Sequence, residues 1–145
     1  EIRLSLVGSE MCIRDRDKID WTPYKGFVYT FDETKDIAWL YLVSDMLITD
    51  YSSVMFDYSI LNRPMLFFAY DLEDYKENLR GFYFDFVNDI PGPISRDTDQ
   101  LIKDIKEYNE DSWKEKYKNY HDKFNGIDDG HASQKVIDVI KKVSG

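Results

Sequence analysis

The chain has 145 residues, of which 43% are hydrophobic and 16% aromatic, as expected for one globular domain with a packed core. Its formal net charge is −9 and its Lys and Arg residues are scattered, which argues against a nucleic-acid-binding surface. The sequence has no apolar run of about 18 residues that would span a bilayer. Its single cysteine, Cys12, excludes an internal disulfide framework and a cysteine-based metal site.

The first segment of the chain is predicted to be foreign to the rest. The run LVGSEMCIRDR, residues 6–16, reads as one translation frame of a common sequencing-library transposon adapter. Such a match is hard to obtain by chance, so we expect residues 1–16 to be an artefact joined to residues 17–145. The alternative is a genuine amino-terminal strand with alternating apolar residues, Ile2, Leu4 and Leu6.

Beyond residue 16, short apolar runs alternate with segments of helical spacing. Residues 26–31 are rich in β-branched and aromatic side chains and predict a strand, and residues 34–43 predict a helix. Continuous apolar runs at residues 46–49 and 65–68 predict strands buried on both faces of a parallel sheet. A helix starting near Ser53 is predicted between them. This alternation is typical of a doubly wound α/β fold.

The second half of the chain is predicted to be mostly helical. Residues 70–78 indicate a loop with one helical turn, and two prolines and a glycine exclude a helix over residues 91–93. Further helices are predicted over residues 99–108, 111–124 and 131–143, the first of them capped by Asp97. These tail helices are expected to cover the sheet or to cross to a missing partner domain.

The residues best placed for ligand binding follow the strand at residues 46–49. Thr49, Asp50, Ser52 and Ser53 lie at the predicted junction of that strand with the next helix, and ligands of open α/β sheets bind at this edge. Two hydroxyl groups and the free N–H groups of a helix start can cradle a phosphate. A serine near a helix start can equally be a cap and nothing more, so both interpretations stay open here.

Several segments together resemble one enzyme family. The run SDMLITDYSSVMFDYSILNRPMLFF, residues 44–68, resembles the carboxy-terminal signature of the CDP-glycerol glycerophosphotransferases. Further segments fit the same family in order and spacing: Tyr70 and Asp71, Tyr75, residues 80–83, residues 91–94 and residues 129–132. The resemblance covers about residues 24–140.

This resemblance implies a two-domain GT-B architecture, in which residues 17–145 are the carboxy-terminal, nucleotide-binding domain with a Rossmann-like parallel sheet. It implies an enzyme that moves glycerol phosphate, or a related polyol phosphate, from CDP-glycerol to a growing teichoic-acid-type or capsule polymer and releases CMP. The implied partners are CDP-glycerol, a polyol phosphate polymer or lipid-linked acceptor, and the amino-terminal domain of the same chain. Peripheral attachment to the cytoplasmic face of the cell membrane is expected, without a cofactor or a metal.

The resemblance assigns the donor site to Ser52, Ser53, Thr49, Asp50, Arg80 and Asp57. The two serines contact the diphosphate, and Thr49 and Asp50 shape the turn. Arg80 can pair with a donor phosphate bidentately, or with an aspartate in a structural ion pair. Asp57 can instead make a structural hydrogen bond to a neighbouring loop.

Catalytic residues are expected upstream of this sequence, because the family's His-Pro motif and a further histidine are missing here. His121 and His131, the two histidines of the chain, are expected to be exposed surface residues. Two alternatives remain: a non-catalytic nucleotide-binding or interaction domain, and another GT-B transferase such as a sialyltransferase-like enzyme. The segments at residues 80–83 and 91–94 favour the glycerophosphotransferase.

Overall fold

The computed structural model describes residues 4–6, 20–29, 36–74 and 83–144. A parallel sheet holds four strands in sequential order: β1 (Leu4–Leu6), β2 (Met46–Thr49), β3 (Met65–Phe68) and β4 (Ile94–Ser95). The helices are α1 (Ala38–Val43), α2 (Val54–Ser59), α3 (Leu72–Asp74), α4 (Phe86–Asp89), α5 (Thr98–Lys106), α6 (Glu110–Phe124) and α7 (Ala132–Ser144). This architecture confirms the predicted α/β class.

The core lies on both faces of the sheet, as the continuous apolar strands predict. Because side chains alternate along a strand, Leu47 and Phe67 face a large aromatic cluster that includes Tyr58 of α2 and Tyr120 of α6. Residues of the opposite face pack against α5 in a smaller cluster, formed by Met46, Ile48, Leu66, Phe68, Leu101, Ile105 and Tyr108. Helices thus cover both faces of the sheet.

Strands β2 and β3 have the bounds predicted for them, whereas β4 was not predicted as a strand. A two-residue strand has no pattern of its own, and β4 is set by its pairing with β3. The Phe67 N–H donates to Pro93 O at 3.0 Å, and the Ala69 N–H donates to Ser95 O at 2.9 Å. Gly92 permits this approach, since a Cβ built there would lie 1.9 Å from the Met65 carbonyl oxygen.

The predicted strand over residues 26–31 is wrong for its described part. Gly26 has a φ of +90°, and the N–H groups of Phe27 and Val28 both donate to Tyr24 O, which makes a tight turn. Phe27 and Tyr29 are exposed. The glycine therefore overrides the β propensity of its neighbours, and residues 30 and 31 lie outside the described residues.

The tail helices differ in whether they cover the sheet. Helix α5 packs on β3 and β4, and α6 packs on α2, so these two cover the sheet as expected. Helix α7 has the predicted apolar stripe, but that stripe is exposed on the described residues, at Ala132, Val136, Ile137 and Ile140. Its crossing to another domain stays a prediction.

Strand β1 lies within the segment predicted to be foreign. Leu4 pairs with Met46 and Leu6 with Ile48 in the parallel register. Residues 4–6 thus form a strand, as in the alternative of a genuine amino-terminal strand. The prediction that residues 1–16 derive from an adapter concerns their origin and stays a prediction, and Cys12 lies outside the described residues.

Candidate functional site

The predicted ligand-binding residues lie at the carboxyl edge of the sheet. Strand β2 ends at Thr49, and residues 50–53, here called the serine turn, connect it to α2. Thr49 is in register with Phe67, so the chain that follows β3 leaves the sheet beside the serine turn. Residues 96 and 97, here called the capped turn, follow β4 at the same edge. This is the edge at which open α/β sheets bind ligands.

The serine turn is fixed by its own backbone and by one carboxylate. Asp50 Oδ1 accepts a hydrogen bond from the Ser52 N–H at 2.9 Å. The carbonyl oxygens of Ser52 and Ser53 accept from the N–H groups of Met55 and Phe56 at 3.2 and 3.0 Å. We predicted free N–H groups at this helix start, but the Ser52 N–H is not free, because it donates to Asp50. The geometry supports a role for Asp50 in shaping the turn.

The hydroxyl of Ser53 does not cap the helix. Ser53 occupies the N-cap position of α2 with helical backbone angles, φ −60° and ψ −13°, and its side chain makes no capping hydrogen bond within the described residues. A capping serine has an extended backbone instead. Ser53 is exposed and Ser52 half-buried. The interpretation of Ser53 as a cap only is therefore wrong, and the residue is exposed to solvent.

Burial separates the roles of Thr49 and Asp50. Thr49 is 3% exposed, so it supports the turn from within the core and is not open to a ligand. Asp50 is half-buried. Burial raises the pKa of the Asp50 carboxyl above its usual range, the hydrogen bond from the Ser52 N–H opposes this rise, and the nearby charge of Asp71 adds to it.

A tyrosine within the serine turn bonds to the chain that follows β3. Tyr51 Oη donates to Asp71 Oδ1 at 2.6 Å, and its ring packs edge-on against Phe86 with centroids 5.6 Å apart. The ring of Tyr51 is partly buried and packs against the large cluster. Its hydroxyl contact was not predicted. The signal for it was that both residues follow closely on the ends of two neighbouring buried strands.

The other two predicted donor-site residues are less well supported. Asp57 is exposed on α2, and its carboxylate makes no hydrogen bond to a described residue, so the expected structural bond is not observed there. Its negative charge contributes to the raised pKa of Tyr41, after burial. Arg80 lies outside the described residues. A described arginine at this edge, Arg96, is 3.0 Å from Glu73 Oε1 in an exposed ion pair.

The structure also locates the two histidines of the chain. His131 is exposed and His121 half-exposed beside Asp122, 3.6 Å away. Among residues 20–29, 36–74 and 83–144 together with the short β1, no three histidine, cysteine or carboxylate side chains group as a metal site. Within the same part of the chain, no helix has the length and apolar character needed to cross a membrane.

Comparison with known proteins identifies relatives over most of the chain. A family model described as CDP-Glycerol:Poly(glycerophosphate) glycerophosphotransferase matches residues 12–142. A teichoic acid poly(glycerol phosphate) polymerase of Bacillus subtilis (strain 168) is 44% identical over 128 residues, which are 87% of this chain and 17% of that protein. A teichoic acid poly(ribitol-phosphate) polymerase of Bacillus spizizenii (strain ATCC 23059 / NRRL B-14472 / W23) is 44% identical over 127 residues, 81% of this chain and 18% of that protein.

A solved structure is similar in fold as well. A variant of the wall teichoic acid polymerase TagF, soaked with CDPG for 30 minutes, matches with a TM-score of 0.79 and 41% identity. The match covers 94% of this chain and 34% of that one. This similarity confirms the predicted Rossmann-like sheet of a GT-B carboxy-terminal half. The chain spans about a third or less of the length of the proteins that it matches.

Proposed function

The chain belongs to the CDP-glycerol:poly(glycerophosphate) glycerophosphotransferase family, and on that premise we propose that it is the donor-binding part of such a transferase. The complete enzyme moves glycerol phosphate, or a related polyol phosphate, from CDP-glycerol to a growing teichoic-acid-type or capsule polymer and releases CMP. Relatives named for glycerol and for ribitol phosphate are equally identical to the chain, so the proposal names the polyol phosphate class.

The observation that carries this proposal is the serine turn. Its two hydroxyl groups lie at the ligand-binding edge of the sheet, and that of Ser53 is exposed and makes no capping bond. Hydroxyl groups donate to phosphate oxygens without adding bulk or charge. Because α2 has only 6 residues, its dipole adds little, and the hydroxyl groups of the serine turn are proposed to make the directional hydrogen bonds to the diphosphate.

Charge at the site has to be balanced, since two carboxylates lie beside the serines. Asp50 accepts the Ser52 N–H and Asp71 accepts the Tyr51 hydroxyl, and each bond partly compensates the negative charge of its carboxylate. Arg80 is proposed to supply the positive charge, paired bidentately with a donor phosphate. Asp57 is proposed to act only at the periphery of the site, as an exposed residue of α2.

In the proposed reaction, a terminal polymer hydroxyl attacks the β-phosphorus of CDP-glycerol, and the bond from that phosphorus to the oxygen of CMP breaks. A base must take the hydroxyl proton, and we place that base outside these residues, in the amino-terminal domain of the complete enzyme. The serine turn stabilises the charge that develops on the phosphate oxygens. The acceptor is a polyol phosphate polymer or a lipid-linked primer at the cytoplasmic face of the membrane, where the enzyme is peripherally attached.

The proposal is tested by the choice of donor. Calorimetric titration of the 145-residue chain with CDP-glycerol and with UDP-glycerol should show that the cytidine donor binds at least about tenfold more tightly, because a site that hydrogen-bonds the cytosine amine leaves groups unpaired with uracil. Equal binding of the two nucleotides would contradict the donor assignment. A folded chain that binds neither nucleotide would contradict donor binding by these residues.

A further inference from the structure

Tyr51 is the residue of the serine turn whose side chain turns back to the sheet. Its neighbours are Asp50, which accepts the Ser52 N–H, and the two serines. Its ring is half-buried against the large cluster, 5.6 Å from the ring of Phe86, while its hydroxyl reaches Asp71, 20 residues further along the chain. One side chain therefore connects the serine turn to two segments that are distant in sequence.

The hydrogen bond itself is of a strong kind. At 2.6 Å it has the length of a bond from a hydroxyl to a carboxylate, which is about twice as strong as a bond between neutral groups. Burial, and next the bond to Asp71, raises the pKa of Tyr51, so the hydroxyl stays protonated and donates. Asp71 is half-buried too, and the bond is therefore partly protected from competing water.

This bond joins two turns that leave adjacent strands at the ligand-binding edge. We propose that Tyr51 is a positioning residue for donor binding: through Asp71 and Phe86 it fixes the serine turn, and thereby places the hydroxyl groups of Ser52 and Ser53. The inference rests on the proposed function for its ligand, the diphosphate of CDP-glycerol. In the chain without ligand, the serine turn should open more often when the bond from Tyr51 to Asp71 is removed.

The chain offers a matched control for this proposal. Tyr108 is a second half-buried tyrosine, and its hydroxyl hydrogen-bonds to that of Tyr117 at 3.2 Å. Tyr117 contacts Met65, at the opposite end of β3 from the serine turn. Loss of the Tyr108 hydroxyl thus removes a tyrosine hydrogen bond too, a weaker one between neutral groups, away from the serine turn.

The test compares Tyr51→Phe and Tyr108→Phe in the full chain, without ligand and then with it. Amide hydrogen exchange is read at Ser52, Met55 and Phe56, whose N–H groups are hydrogen-bonded in the turn and at the start of α2. Tyr51→Phe should speed this exchange about tenfold while Tyr108→Phe leaves it unchanged. Calorimetry should show that Tyr51→Phe binds CDP-glycerol about fivefold more weakly than the wild type does. Tyr108→Phe should bind it as the wild type does.

A third variant separates positioning from loss of folding. Asp71→Asn keeps an oxygen that accepts from Tyr51 but loses the charge, so exchange in the turn and donor affinity should both change less than in Tyr51→Phe. Exchange that is the same in Tyr51→Phe and wild type, or that rises equally in Tyr108→Phe, would overturn the proposal. If the wild type does not bind CDP-glycerol, the proposed function fails, and the exchange result alone still decides the role of Tyr51.

Discussion

The serine turn after β2 and the capped turn after β4 lie at the same edge of the sheet, yet their polar side chains have different partners. In the capped turn, Asp97 has an extended backbone and its carboxylate accepts the Gln100 N–H at 2.8 Å, inside its own helix. In the serine turn, Ser53 has helical angles and makes no such bond within the described chain. A polar residue before a helix is therefore a cap in one turn and a candidate ligand-binding group in the other.

The difference follows from which group fixes each turn. A carboxylate that satisfies its own helix contributes stability and has little left to offer a ligand. The serine turn is held instead by Asp50 and by the bond from Tyr51 to Asp71, which leaves the Ser53 hydroxyl exposed. Substitutions in β4 and the capped turn should therefore change the free energy of unfolding. Substitutions of the serines should change donor binding.

The largest effect is expected from Gly92→Ala, which disturbs the strand that carries the capped turn. A Cβ there would lie 1.9 Å from a backbone oxygen of β3, so the strands must separate, and we expect a loss of about 3 kcal/mol or more in the free energy of unfolding. Chemical denaturation measures it. Gly26→Ala is the control, with a cost of about 1 kcal/mol because φ is positive but the space is open. Equal losses would contradict the close approach.

The second effect concerns the cap. Asp97→Ala should lower the free energy of unfolding by about 1 kcal/mol, because the Gln100 N–H loses its acceptor. Thermal melting measures this change, and Asp97→Asn, which keeps an acceptor, should recover most of it. The affinity for CDP-glycerol should not change. A variant that weakens donor binding as much as it weakens folding would remove the distinction between the two turns.

The third effect is a pH dependence that belongs to the serine turn. The folded state raises the pKa of Asp50 above its ordinary value of 3.8, so it binds the proton more tightly than the unfolded chain does. The stability from this proton is present below pH 3.8 and is lost as the pH rises through the folded pKa. Asp50→Asn keeps the acceptor for the Ser52 N–H and avoids the ionisation.

The measurement is the stability of Asp50→Asn relative to the wild type across this range. Its relative stability should rise as the pH increases from 3.8, by less than about 1 kcal/mol in total because solvent screens this half-exposed group. Denaturation at a series of pH values gives the curve. A difference that stays flat, or that falls with rising pH, would show that burial does not act on Asp50 in this way.

The smallest effect on folding is expected from the serines. Ser52→Ala/Ser53→Ala should change the free energy of unfolding by less than about 0.5 kcal/mol, because the Ser53 hydroxyl has no partner in the cap position. Thermal melting beside Asp97→Ala makes the comparison direct. A loss as large as that of Asp97→Ala would show that the serine hydroxyls serve the helix after all.

Local pattern accounts for the parts of the fold that were predicted correctly. The continuous apolar runs located β2 and β3, and the polar residues that follow β2 located the serine turn, since strand ends meet at one edge of a parallel sheet. The cap at Asp97 was likewise local. All of these signals lie within a few residues of the structure that they predict.

The parts that sequence reasoning missed depend on distant partners. Strand β4 exists because β3 pairs with it, and the contact of Tyr51 with Asp71 joins residues of two different loops. The exposed stripe of α7 shows the same limit, because spacing predicts an apolar face and not what covers it. The assignment of the serines to the donor came from the family resemblance, which adds what spacing alone left open.

The central claim is that the serine turn holds the donor diphosphate. Calorimetry of the full chain with CDP-glycerol should show that Ser52→Ala/Ser53→Ala loses about 1 to 3 kcal/mol of binding free energy while Asp97→Ala loses none. Both variants should remain folded, so that the comparison reports on binding. An affinity unchanged by the double substitution, in a chain that binds CDP-glycerol, would contradict the account and leave the serines without a role in donor binding.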